Sequence, residues 1–397
     1  MKHDKNDIAF DIGDYNFTEY FRNLDSRKTD LKIVTHTANN EVTNLQNLDS
    51  VSKKNVLRRK GNTRFLDLFS IIKFENKPCS LEYDLLETTD GTCYHKTECD
   101  RLGGLAAGSC AKGFGVCCIF SLKCGDMSLQ NVSYFESPGF PKPTSSKLAC
   151  AITVVALPGV RQFRLDFLSF EMQPPTNGDC IEDQLLISGQ MGNKLPPICG
   201  INTGQHMYLD VSQSNFLMVS ALTNSERLRQ YRIKITQLTP EQNVPDGCLQ
   251  HYDDLDGRIE SFNYADSSRI LDARRPGYFN NMNYAICITR KPGRCAVTYF
   301  NADFFQISNV GLDGEPIIPP EQAGVEVFNC PDDFIIINGV RLCGERLNDA
   351  SLIEDFTIDA PVVEYGAGPI MLPFRSNGNV TGRGFRILFR QEPCKME

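Results

Sequence analysis

The residues with the most chemistry to offer are sixteen cysteines, all between Cys79 and Cys394 and none in the first 78 residues. An even number, dense in one stretch and absent from another, fits thiols oxidised in pairs to disulfides. The competing chemistry is zinc, which favours paired C-x-x-C knuckles. No C-x-x-C occurs, and His3, His36, His95, His206 and His251 are scattered. Catalytic patterns are also missing: there is no H-E-x-x-H, no G-x-S-x-G and no G-D-S-G-G. His95 and His206 have no evident nucleophile beside them and read as surface or packed histidines. The adjacent Asp332 and Asp333 read as turn residues, because paired-carboxylate catalysis needs two groups set across a cleft.

Charge and hydropathy narrow the class further. The net charge is −8 over 397 residues, and the part after Arg64 is the acidic one. An acidic body lacks the basic face that nucleic acid needs, so no nucleic-acid partner is expected. No apolar run approaches the ~20 residues of a membrane span, and no apolar tail follows Cys394. Disulfides imply an oxidising, extracellular compartment. The opening MKHDKNDIAF is polar and is not a secretory signal, so either the chain is incomplete at its N-terminus or the extracellular expectation fails, and the cysteine pattern favours the first.

The elements that would position these groups fall into four stretches. Residues 1–64 are rich in Asn, Asp, Lys, Ser and Thr and read as a disordered leader or pro-region. Within it, Arg58-Arg59-Lys60 is either a processing site or a solvated basic cluster. The apolar run Phe65–Phe74 is a strand or a short helix, which periodicity does not separate at this length. Residues 65–120 carry six cysteines, Cys79, Cys93, Cys99, Cys110, Cys117 and Cys118, among many glycines. So small a module must take its stability from cross-links, each contributing roughly 2–4 kcal/mol. Spacing alone leaves fifteen pairings open.

From Cys124 the chain repeats itself. Cys180 to Gly189 (CIEDQLLISG) and Cys330 to Gly339 (CPDDFIIING) both read Cys-x-x-Asp-x-apolar-apolar-Ile-x-Gly. A Cys-Gly follows each, at Cys199-Gly200 and Cys343-Gly344. Pro138-Gly139-Phe140 precedes the first unit and Pro276-Gly277-Tyr278 the second. Each half closes on an alternating strand, with Tyr231, Ile233 and Ile235, then Phe385, Ile387 and Phe389, on one face and Arg232 and Arg386 on the other. Strict period two marks half-buried antiparallel strands. Short β-rich runs fill both halves, so the expected fold is all-β: two β-sandwiches after a small disulfide-rich module.

At these residues the sequence resembles the CUB family of extracellular jelly-roll domains, over residues 124–238 and, more divergently, 248–394. The six-cysteine stretch resembles the clip module of arthropod secreted proteins. The CUB resemblance implies the bonds Cys124–Cys150, Cys180–Cys199, Cys248–Cys287 and Cys330–Cys343, leaving Cys295 and Cys394 to pair. The clip resemblance implies Cys79–Cys117, Cys93–Cys110 and Cys99–Cys118. Many CUB domains hold calcium at one end of the sandwich, and the matching positions here are Glu171, Asp183 and Asn224, so calcium is a possible cofactor of the first copy. In the second copy Asp333 is kept but Gln306 replaces the glutamate, and no calcium is expected there. The second copy also has an insertion, roughly Asn309 to Val325.

Three sequons, at Asn16, Asn131 and Asn379, mark possible N-glycosylation. The resulting expectation is a secreted, non-catalytic protein that binds an extracellular protein or glycan through loops at one end of the first CUB domain, with calcium as a possible aid, and through the divergent face of the second. At that end of the first domain, rim carboxylates such as Glu171 and Asp183 would attract a basic side chain. A different class is a regulator of extracellular serine proteolysis, docking a secreted protease through the clip-like module. An enzymatic site in the second copy's insertion would require a deep pocket with perturbed titratable groups.

Overall fold

The computed structural model describes residues 73–394 except 85, 86, 193, 266, 267, 269 and 272–275. The leader, Arg58–Lys60, Asn16 and most of the Phe65–Phe74 run lie outside the described residues.

The cysteine-rich module is a four-stranded sheet in the order β1-β2-β4-β3: β1 (Pro78–Asp84), β2 (Glu87–Tyr94), β3 (Leu105–Cys110) and β4 (Gly115–Ile119). One short helix, α1 (Lys96–Arg101), packs on it. Three disulfides, Cys79–Cys117, Cys93–Cys110 and Cys99–Cys118, tie strand to strand and helix to sheet. One glycine follows from a cross-link: a Cβ at Gly104 would run into Cys118 Sγ. The adjacent Cys117 and Cys118 face opposite sides of β4, so each reaches its own partner.

The first sandwich has two sheets. One runs β11-β9-β13-β7-β5 and the other β10-β12-β8-β6. The strands are β5 (Ser121–Leu122), β6 (Met127–Ser128), β7 (Val132–Glu136), β8 (Leu148–Val155), β9 (Gln162–Glu171), β10 (Asp183–Ser188), β11 (His206–Asp210), β12 (Phe216–Thr223) and β13 (Gln230–Gln237). Tyr231, Ile233 and Ile235 of β13 face the core. Its other face does not meet plain solvent. Arg232 NH2 donates to Thr89 Oγ1 at 3.2 Å, and Lys234 Nζ is ion-paired with Asp90. The Asp90 N–H and carbonyl both bond the Tyr134 hydroxyl, at 2.8 and 2.9 Å. The charged face of β13 is therefore the seat of the cysteine-rich module.

The second sandwich pairs a six-stranded sheet, β14-β16-β22-β19-β20-β18, with a four-stranded one, β15-β23-β17-β21. Its strands are β14 (Cys248–Tyr252), β15 (Asp256–Glu260), β16 (Asn283–Ile288), β17 (Arg294–Asn301), β18 (Ala323–Val325), β19 (Phe334–Ile337), β20 (Val340–Gly344), β21 (Val362–Glu364), β22 (Ile370–Arg375) and β23 (Arg386–Pro393). The insertion turns back through a Val310–Pro316 bridge and supplies β18. Cross-links in the two sandwiches are Cys124–Cys150, Cys180–Cys199, Cys248–Cys287, Cys295–Cys394 and Cys330–Cys343.

The two sandwiches share one contiguous buried apolar cluster, and the seam between them is polar. Asn263 N–H donates to Asn202 Oδ1 at 2.8 Å, and Ile201 N–H donates to Asn263 Oδ1 at 3.0 Å. Gln250 donates to Gln205 Oε1 at 2.7 Å. The Cys199-Gly200 turn explains its glycine here: Gly200 has φ +70°, and a Cβ would collide with the Asn263 amide. His206 of β11 accepts the His251 N–H at 3.1 Å. Buried polar groups need such partners, so the seam fixes one mutual placement.

Burial, helped by nearby Arg164, pushes the His206 imidazole from 6.5 down to about 4. His251 is also lowered, chiefly by burial. Asp166 and Asp253 oppose these shifts, while Lys291 adds to the lowering at His251. A depressed imidazole pKa contributes stability in full above the unfolded value, and that stability is lost as pH falls toward the folded value. The window for His206 is therefore about 6.5 to 4. In melting experiments across that window, His206→Gln is expected to gain on the wild type steadily as pH falls. A constant difference between the two would contradict this.

Candidate functional site

The repeated Cys-x-x-Asp places Asp183 at the first position of β10 with its side chain turned inward. Its carboxylate is fully engaged. Oδ1 accepts the Asn224 and Ser225 N–H groups, each at 3.1 Å, and Oδ2 accepts Ser225 Oγ and Arg229 Nε, each at 2.9 Å. Arg229 is one residue before β13, and both side chains are 1% exposed. The guanidinium also donates to Ser146 O at 2.6 Å, Ser225 O at 2.5 Å and Ser225 Oγ at 2.8 Å. A buried ion pair is tolerable only when its remaining donors and acceptors are met, and here they are.

Glu171, at the end of β9, is 9% exposed and receives the Ser268 hydroxyl from the second sandwich. The expectation that Glu171 and Asp183 form an open carboxylate rim is therefore corrected. The second sandwich covers the first carboxylate, and an internal arginine pairs with the second. Asn224 is exposed and gives Asp183 its backbone N–H. Calcium takes six to eight oxygens, usually including carboxylate oxygens free to turn to it, whereas here Asp183 and Glu171 both have partners within the chain. Among the described residues no group of three His, Cys, Asp or Glu side chains could hold a metal ion.

The second copy buries Asp333 at the corresponding place, one residue before β19. Its partners are neutral: Tyr278 OH donates to Oδ2 at 2.7 Å and Asn377 N–H to Oδ1 at 2.6 Å. Burial pushes this carboxyl up from 3.8 to about 6, against the pull of those two bonds. Burial and the facing carboxylate also raise the Tyr278 phenol well above 10. Asp333 is thus a packed residue, while Asp332 beside it is exposed. Gln306 bonds Glu345 Oε1 at 3.0 Å and caps the Arg383 N–H at 3.0 Å.

A cleft of about 1160 Å³ opens where all three modules meet. Leu168, Ser169, Gln230 and Arg232, from the outward faces of β9 and β13, line its base. Thr89, Leu105 and Ile119 of the cysteine-rich module form one wall, and Ala265 and Ser268 of the second sandwich contribute another. Arg232 is held in place by Glu136 at 3.2 Å and by stacking over the Tyr134 ring at 4.8 Å. Two apolar side chains stand open at the cleft, Leu105 at 67% and Leu168 at 40% exposure. An apolar surface with fixed polar groups around it can bind another molecule; among the described residues no histidine or cysteine lines it.

Sequence reasoning missed Arg229, which sits in the charged stretch SERLRQYR and looks like a solvated side chain. It also missed the cleft, which exists only once three modules are packed. Of the sequons, Asn131 is half-buried, its carbonyl accepting the Gln237 N–H at 2.9 Å, and Asn379 is exposed. His95 is exposed and contacts Thr97 Oγ1 at 2.9 Å.

Against models of known families, residues 124–234 match the CUB domain and residues 245–392 the animal CUB domain. No curated protein matches the chain. Among solved structures, the CUB1-EGF-CUB2 domains of rat MASP-1 share 16% identity over 68% of this chain and 99% of that one, at a TM-score of 0.24. The same domains of human MASP-1/3 share 15% over 66% and 100%, also at 0.24. The MASP-1 CUB2 domain bound to Ca2+ shares 19% over 28% and 98%, at 0.25.

Removing one donor from a buried carboxylate leaves it unsatisfied at a cost of about 1–3 kcal/mol. Tyr278→Phe is therefore expected to lower stability by that amount in urea unfolding, with the loss larger at pH 7.5 than at pH 5, where Asp333 carries a proton. An equal loss at both pH values would contradict the assignment.

Proposed function

From the two CUB domains the chain carries, at residues 124–234 and 245–392, we propose that it is a secreted, non-catalytic binding protein that recognises an extracellular protein or glycan in the cleft between its three modules. CUB domains are non-catalytic binding modules. The extracellular setting rests on their nature and on the many disulfides, and Asn131 and Asn379 are the described sequons that would carry glycans.

The observation that carries the reading is the lining of the cleft. Leu105 and Leu168 stand exposed on different modules, and Arg232, which also lines the cleft, is held by Glu136 and Tyr134. Exposed apolar groups beside positioned polar ones are the usual make-up of a recognition surface. Because Asp90 and Thr89 pin the cysteine-rich module to β13, that module acts as a wall of the cleft. This arrangement speaks against a free arm that docks a protease by itself. Recognition in this reading does not use calcium in the first CUB domain, since both Asp183 oxygens are already engaged.

The test is a screen of the full secreted chain against arrays of extracellular proteins and glycans, repeated with Leu105→Arg plus Leu168→Arg. Both side chains are exposed, so the double variant should melt with the wild type. Loss of a specific hit by at least about tenfold is expected, the range of a central interface contact. Undiminished binding by the folded double variant places recognition elsewhere.

A further inference from the structure

We propose that Arg229 is a built-in cation that does for the first CUB domain what a bound metal would do, closing one end of the sandwich without calcium. This stands apart from the identity of the partner. The oxygens around the guanidinium are those a cation site is made of: a carboxylate oxygen of Asp183, the carbonyls of Ser146 and Ser225, and the Ser225 hydroxyl, at 2.5 to 2.9 Å. They come from the start of β10, the segment before β8 and the turn between β12 and β13, which are the loops of one end of the domain. A planar, permanently charged guanidinium satisfies several acceptors at once in fixed directions. With Arg229 seated, a second positive charge would meet like-charge repulsion and a carboxylate with its acceptors taken.

The second copy supports the same account by contrast. Among the described residues its buried Asp333 is ion-paired with no arginine, and two neutral donors hold it instead, Tyr278 OH at 2.7 Å and Asn377 N–H at 2.6 Å. Both copies keep the inward aspartate, and each meets it with groups of its own chain. One uses a full charge and the other a phenol.

The experiment is thermal melting of the full chain in EDTA and in millimolar calcium, for the wild type, Arg229→Ala, Arg229→Lys and Asp183→Asn. The wild type is expected to melt at the same temperature in both. Arg229→Ala should melt roughly 10 °C lower in EDTA, because it leaves a buried carboxylate unpaired. Calcium should restore several degrees to it by entering the vacated oxygens. Arg229→Lys, which keeps a cation there, should fall less and ignore calcium, and it decides the matter with the wild type if Arg229→Ala does not fold. A wild-type rise in calcium that vanishes in Asp183→Asn overturns the proposal. So does a folded Arg229→Ala chain that calcium leaves unchanged, or an Arg229→Lys chain that calcium stabilises.

Discussion

Withdrawing an ionised carboxylate from water costs several kcal/mol unless a counter-charge or hydrogen-bond donors meet it, and this molecule supplies one or the other at the same place in both sandwiches. Asp183 is met by Arg229 and Asp333 by Tyr278. Much of the surrounding structure hangs on the first of these pairs. Arg229 ties Ser146 before β8 and Ser225 after β12 to the start of β10, so one end of the domain is a single bonded unit. The residues that follow it open β13, the strand whose inner face fills the core and whose outer face seats the cysteine-rich module. Glu171, in register with Gln230 at the same end, receives the second sandwich through Ser268. Ion pair, module seat and inter-domain contact are therefore consecutive steps along one strand pair.

The modules are joined by two different kinds of surface. Between the sandwiches, amides and an imidazole exchange hydrogen bonds across the seam, which gives direction where an apolar seam would allow sliding. Between the cysteine-rich module and the β7–β13 pair, a half-buried ion pair and a tyrosine hydroxyl do the same work at the edge of the cleft. A recognition surface shared by three modules is useful only if their spacing is fixed, because ordering it on binding would cost affinity. Both joints supply that fixity.

The β architecture was legible because its signal is local. Period two in QYRIKITQ puts Tyr231, Ile233 and Ile235 in the core, and the repeated Cys-x-x-Asp and Cys-Gly units give two copies of one domain. The candidate site was legible in part. The sequence pointed to Asp183 and Asp333 as positions that matter, and both are buried at the ends of their sandwiches. Their surroundings were not legible. Arg229, Arg232 and Lys234 all sit in stretches that look like solvated charge, yet one is a buried counter-ion and the other two seat a neighbouring module. Residue type and spacing report which face a side chain leaves by, and the packing of distant segments decides what it meets there. Glu171 shows the same limit, since its cover comes from Ser268, 97 residues away.

The most direct measurement of this account is a double-mutant cycle in urea on the full chain, with Asp183→Leu, Arg229→Met and the two together. If the pair closes that end of the domain, Arg229→Met alone strands a buried charge and the double variant recovers much of the loss, giving a coupling of at least about 2 kcal/mol. Additivity within about 0.5 kcal/mol would mean the two side chains are merely neighbours, and the dependence of the strand pair on them would fall.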